Sequence, residues 1–242
     1  MQKSDALALD GSAALAEPVP ATEIARGIAV LAAPTSLVAF LQAGAQLIET
    51  WLAARQGTAS LAGWAVVLPF ALLLQQMSTG AMGGGVVSAI ARALGGGKRE
   101  EASSLVLHAL IIAVTAGLIF AIVLAGFPRS VFGAVAGATA AEAAASYAIW
   151  LFGAGAVPAW LANTLASVLR GGGRHALAAR VLGGMWVVFP VLSWWLAERV
   201  GMGLAGIGAA LAAVSWGAAL VMAYVVFRGG AGFVPSLRIR PS

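Results

Sequence analysis

Long apolar runs separated by short polar turns dominate the chain. They lie at about 25–54, 59–94, 102–127, 139–169, 176–197 and 204–227. Each can supply the roughly 20 residues that an α-helix needs to cross the hydrocarbon of a bilayer. The pattern therefore predicts an all-α, polytopic membrane protein with six transmembrane helices. Several runs exceed the crossing length, which predicts tilt or helix projecting past the hydrocarbon. Pro34, Pro69, Pro158 and Pro190 fall inside runs, where a neighbouring helix can take up the carbonyl that a proline leaves free. Gly and Ala recur throughout, as close helix packing in a membrane requires.

Composition agrees with this pattern: 61% of residues are hydrophobic and 10% charged, against about 25% charged in soluble domains. A net charge of +5 raises the question of a nucleic-acid partner, and the placement of the basic residues answers it. With the N-terminus inside, Lys3, Arg26, Arg92, Lys98, Arg99, Arg170, Arg174, Arg180, Arg228, Arg238 and Arg240 fall on the cytoplasmic side. Only Arg55, Arg129 and Arg199 fall outside. That bias orients the chain in the plasma (inner) membrane with both termini cytoplasmic, and no nucleic acid is needed to explain the charge. Residues 1–24 form an acidic cytoplasmic lead-in without signal-peptide character, 25–228 the six-helix lobe, and 229–242 a cytoplasmic tail.

One carboxylate breaks the pattern. Glu49, in "LIETWLAARQG", is the only charged residue between Gly27 and Ala54. At 100° per residue Thr35, Gln42, Gln46 and Glu49 fall within an arc of about 60° on the first helix. A charge inside a membrane helix usually faces a cavity or partner and marks an ion or substrate path. The alternatives are that Glu49 snorkels to the nearby interface or pairs with Arg55. The polar stripe favours the cavity, and a carboxylate that exchanges protons there is the candidate cation-coupling residue. Thr35, Gln42, Gln46, Gln76 and Asn163 are the candidate cargo-cavity residues. Gln76 and Asn163, with Gln75, Ser78, Thr79, Thr164 and Ser167, either line the same cavity or hydrogen-bond between helices. Trp186, Trp194, Trp195 and Trp216 read as interface anchors by default, or as aromatic walls for a flat cation.

Other chemistries find little support. "GGGKRE" lacks the first glycine of a phosphate-binding loop and has Arg99 where Ser or Thr would ligate magnesium, and "GAMGGG" does not fit the dinucleotide pattern. With no cysteine, and with His108 and His175 far apart, there is no metal motif and no legible hydrolytic set. The sequence predicts no enzyme and no cofactor. The turns "ARALGGGKREE" and "SVLRGGGRHAL" resemble each other and read as gating hinges or as helix C-caps.

Pro34 followed by "LIETWLAARQGTASLAGWAVVLP" resembles the opening of multidrug and toxic compound extrusion (MATE) transporters. "TGAMGGGVVSAIARALGGGKREEA" is similar to that family's long second helix, "LANTLASVLRGGGRHALAARV" to its fourth-to-fifth connection, and "GMGLAGIGAALA" to the start of its sixth helix. The resemblance covers roughly residues 25–228. It implies a secondary transporter exporting lipophilic, often cationic small molecules in exchange for protons or sodium. Glu49 stands at the position of the family's coupling acid, usually Asp, and Ala54 replaces a family glycine. "GGMWVVFPVLSWW" lacks the Asn and Asp that some members carry in the fifth helix.

Members of that family have twelve spans in two lobes, so the chain corresponds to the N-terminal lobe, with 229–242 starting the inter-lobe linker. The implied partners are membrane lipid, a small-molecule cargo and a second six-helix lobe, either another copy or a separate subunit. Two other functions stay open at this point. One is a flippase for lipid-linked saccharides, which a strongly cationic cavity would favour. The other is a transport-inactive subunit or the remnant of a truncated gene.

Overall fold

A computed structural model describes residues 20–236. The lead-in before Pro20 and the last six residues, which include Arg238 and Arg240, lie outside the described residues. Those described are helical, with no strand among them. Helix α1 spans Ala21–Arg55, α2 Thr58–Gly95, α3 Arg99–Ala125, α4 Pro128–Ala136, α5 Ala138–Ala154, α6 Ala156–Gly171, α7 His175–Arg199 and α8 Leu204–Phe227. Among the described residues five helices are long and apolar enough to cross a membrane alone, and α5 with α6, bent by 46°, give a sixth when the pair is taken as one span. α1 starts four residues before the apolar run, with Ala21 following Pro20.

The bent span shows how local sequence and tertiary contact combine. Pro158 has no N–H to give the carbonyl of Ala154, and the chain breaks at Gly155 between the two. Trp216 of α8 fills the gap, its Nε1 donating to the Ala154 oxygen at 3.0 Å. Trp216 thus satisfies a carbonyl of another helix with its indole N–H while its ring stays exposed. Trp194, by contrast, lies beneath the Arg199 guanidinium at 5.2 Å.

α6 sits at the centre of the bundle. Every residue from Ala162 to Leu169 is buried, so α6 is enclosed on all sides by α2, α3, α7 and α8. Close approach depends on missing side chains. A Cβ on Gly117 of α3 would stand 2.7 Å from Val157 Cα of α6, and one on Gly63 of α2 only 2.6 Å from Ala143 Cβ and Ala144 N of α5. α1 packs chiefly on α7, and Val30, Leu37, Phe40, Leu47 and Trp51, on its other face, are exposed.

The structure fills in three stretches between and after the spans. Residues 128–136, read as loop, form α4, because Pro128 is placed at the helix start and Phe132 packs edge-on to Phe70, 5.4 Å between centroids. The glycine-rich turns are helix caps. Gly97 and Gly173 adopt positive φ (72° and 77°), Lys98 N–H donates to Ala93 O (2.9 Å), and Arg174 N–H donates to Leu169 O (2.8 Å). These bonds satisfy carbonyls that a helix end leaves open. A third such cap, which the sequence comparison missed, closes α8 at Gly229 (φ 86°), with Gly230 N–H donating to Val225 O (2.9 Å). The described part of the tail is held against the bundle. It folds back with Ala231 and Phe233 buried, and Ser236 N–H donates to Ser103 Oγ (2.6 Å).

Candidate functional site

The polar stripe of α1 faces inward. Between α1, α2, α5, α6, α7 and α8 lie two adjoining cavities that share Gln42, Gln75, Ala159, Met185 and Trp186. The smaller, about 70 Å³, is lined by Gln46, Glu49, Tyr147, Leu151 and Phe152 among others and has room for a few waters. The larger, about 730 Å³, reaches toward the basic end of the bundle and is lined by Thr35, Gln76, Thr79, Asn163, Arg170 and His175, with Val38 and Leu182 as apolar wall. That volume suits a drug-sized molecule. All six residues singled out from the sequence line one or other cavity: Gln46 and Glu49 the inner chamber, Thr35, Gln76 and Asn163 the vestibule, and Gln42 both.

Glu49 is 7% exposed, which rules out the snorkelling alternative. Arg55 is not its partner either. The Arg55 guanidinium forms two hydrogen bonds to Glu198 of α7, Nε to Oε1 at 2.8 Å and Nη2 to Oε2 at 3.2 Å, and stacks over Trp51 at 5.0 Å. The Glu49 carboxylate instead accepts the hydroxyl of Tyr147 from α5, and the Trp64 indole of α2 lies within polar reach of it. The acid is thus held by neutral donors in a chamber whose other polar lining, Gln42, Gln46 and Gln75, is also uncharged, an arrangement that leaves it free to gain or lose a positive partner.

Packing sets the position of Tyr147. A Cβ on Gly208 of α8 would stand 2.7 Å from Tyr147 O and 3.1 Å from its ring, so the absence of a side chain there lets α8 press α5 toward α1. Tyr147 was not foreseen as a site residue. A buried tyrosine hydroxyl needs a partner, and its position among the buried alanines 141, 144, 145 and 148 was the available signal.

Polar groups of α2 and α6 divide between lining and bridging. Asn163 Nδ2 donates to Ser78 Oγ (2.9 Å), which donates to Gln75 O (3.1 Å). Thr79 Oγ1 donates to the same carbonyl at 2.7 Å. These bonds lie where α2 widens by one residue per turn, at Met77–Ala81, so the side chains satisfy a carbonyl at the edge of the vestibule. Asn163 therefore does both things the sequence left open. Ser167 is a core residue whose Oγ donates to Asn163 O (2.9 Å).

The family model MatE matches residues 34–196, well over half of the chain and including α1 from Pro34 through most of α7. The chain belongs to the MatE family. No curated protein sequence matches it. Among solved structures, it is similar to a MOP superfamily transporter from Pyrococcus furiosus Vc1, at 26% identity and TM-score 0.81, over 90% of this chain and 48% of that one. A MATE in complex with MaL6 is similar at 27% identity and TM-score 0.82, over 90% of this chain and 48% of that one. An outward-facing multidrug resistance MATE family transporter is similar at 25% and 0.77, over 84% and 45%. The chain thus spans about half the length of the MATE structures it matches, the extent of a single lobe. Its fold is that of MOP superfamily transporters, multi-pass membrane proteins whose work is transport and not enzymatic conversion.

Proposed function

We propose that the chain is one lobe of a secondary exporter that moves lipophilic, often cationic compounds outward in exchange for inward protons or sodium ions. The observation that carries this is the placement of Glu49, buried at the head of a chamber that joins a drug-sized vestibule and held by Tyr147 in place of a cation. A single carboxylate there can hold a coupling ion or attract a cationic cargo. Competition between the two for one site is enough to couple their movements when each favours a different conformation. Gln46 and Gln42, one and two turns along α1 from Glu49, line the route with groups that can hydrogen-bond a cargo.

The second wall of the cargo chamber comes, in this account, from a second six-helix lobe. In repeat-built transporters the site lies between two halves that rock against each other. Either another copy of this chain or a separate subunit would serve. Purified chain, alone and with a candidate second lobe, should be reconstituted into liposomes with a proton gradient or a sodium gradient imposed singly. The expected result is uptake of a fluorescent lipophilic cation driven by one of the two gradients, seen with the complete pair. Uptake driven by neither gradient, in a pair that assembles, would refute coupled export.

We also infer that the basic end of the bundle is cytoplasmic, in the plasma (inner) membrane, as the charge bias supports. Cysteines introduced at Gln56 and at Gly96, both outside the spans, test it in intact cells. An impermeant thiol reagent should label the first and spare the second, and the opposite pattern would invert the orientation.

A further inference from the structure

The vestibule ends, at the basic side of the bundle, in Arg170 and His175, which flank the turn from α6 to α7. Arg170 differs from the other cations of the chain. Among the described lysines and arginines it alone is not exposed; Arg174 and Arg180, close by in sequence, reach solvent as membrane-flanking arginines normally do. It also has no anionic partner among the described residues. Arg55 pairs with Glu198, Lys98 with Glu101 and Arg129 with Glu142, and no carboxylate lines the vestibule. A guanidinium keeps its charge under all ordinary conditions and offers five N–H donors. A half-buried charge without a counter-ion is unfavourable on its own, and a cation directed into a cavity is poised for a ligand that supplies the missing anion.

We propose that Arg170, with His175 beside it, binds the anionic group of a lipophilic molecule, a phosphate, carboxylate or sulfonate, whose apolar body lies against Val38, Leu182, Met185 and Trp186. The guanidinium fork matches the oxygens of such a group in a way a single ammonium would not. The vestibule and inner chamber together are then bipolar, with an acid at one end and a cation at the other. Thr35 and Glu49, 14 residues apart on α1, already mark an axial length of about 21 Å at 1.5 Å per residue. A cargo that bears both charges matches this polarity at both ends, and one that bears a single charge matches it at one. The inference rests on the vestibule being a cargo chamber and specifies what that chamber recognises.

Equilibrium binding to the chain in phosphatidylcholine nanodiscs tests it without any gradient. The probes are octyl phosphate, octyltrimethylammonium and uncharged octanol, with signal from empty discs subtracted. Octyl phosphate should bind saturably and more tightly than octanol. Arg170→Gln should weaken octyl phosphate by at least about tenfold, the scale of a lost charge-assisted hydrogen bond, and leave octyltrimethylammonium unchanged. Arg170→Lys, which keeps the charge and reports on folding, should lose less. Replacing a third of the phosphatidylcholine by phosphatidylglycerol separates the two sources of the anion. Displacement of octyl phosphate assigns the site to a lipid headgroup, and undiminished binding assigns it to a free amphiphile. Octyl phosphate binding no better than octanol, or unchanged in Arg170→Gln, overturns the anion site. If the ammonium probe still binds, the cargo chamber survives that result; if neither charged probe binds, the cargo chamber falls with it.

Discussion

Replacing Glu49 by Gln should reduce gradient-driven efflux to the level of protein-free liposomes while leaving membrane insertion and thermal stability close to those of the parent. The amide keeps the shape of the side chain and can still accept the Tyr147 hydroxyl. What it loses is the ability to carry a charge that a proton, a sodium ion or a cationic cargo can neutralise. Few changes separate structure from coupling so cleanly, because the parent carboxylate has no cationic partner among the described residues whose loss would confuse the outcome. Tyr147→Phe makes the complementary test. It retains the ring packed against Gly208 and removes one hydrogen bond to an acid, worth about 1.5–3 kcal/mol. Efflux should then fall by roughly tenfold to a hundredfold at 1.4 kcal/mol per factor of ten. Efflux in Glu49→Gln equal to the parent's would remove Glu49 from the coupling step.

A second large effect is expected at Gly63, in helix packing. Its missing side chain lets α2 lie against Ala143 and Ala144 of α5, and an added Cβ would stand 2.6 Å from both Ala143 Cβ and the Ala144 backbone nitrogen. Backbone cannot rotate away as a flexible side chain can, so Gly63→Leu must push the two helices apart. Overpacking of this kind costs about 1–3 kcal/mol or more, and at roughly 2–4 °C per kcal/mol for a chain of this size the melting temperature should drop by up to about 10 °C. Gly44→Leu is the control, since a Cβ there meets nothing within 4 Å; its melting temperature should stay within a degree or two of the parent's. The residue after Gly63 is Trp64, beside Glu49, and Tyr147 is one turn from Ala143. Any Gly63→Leu protein that survives should therefore also transport poorly. A melting temperature for Gly63→Leu matching the control would mean that α2 and α5 are not packed as described.

The features that were legible in the sequence are those a bilayer imposes locally. A membrane helix cannot hide a polar stripe, so the spacing of Thr35, Gln42, Gln46 and Glu49 marked the cavity face of α1, and the structure puts all four on cavities. Run length gave the number of spans. Pro158 marked a bend in the fourth, although the break falls at Gly155, on the side where the carbonyl loses its donor. The features that stayed hidden depend on partners distant in sequence. Tyr147 meets Glu49 from 98 residues away, and nothing around it in α5 announces that contact. Glu198 takes Arg55 from Glu49 across 143 residues. Arg170 looked like any other basic residue at a helix end until its burial and the vestibule beside it set it apart. Helix α4 escaped notice because nine residues are too few to carry a clear period, and Phe132 gains its place from Phe70.

The central claim is that the Glu49 carboxyl exchanges its proton for a cation within the cargo path, and a chemical label can examine it directly on the chain as it stands. Dicyclohexylcarbodiimide modifies carboxyl groups that take up a proton in apolar surroundings and leaves water-exposed carboxylates largely alone. The chain in nanodiscs should be treated with the reagent, with and without an excess of tetraphenylphosphonium, and the modified residues located by peptide mass spectrometry. The account predicts modification at Glu49, strongly reduced by the lipophilic cation, with Glu142, exposed and paired to Arg129, unmodified in both samples. A Glu49 that resists the reagent, or that reacts equally with and without the cation, would contradict it.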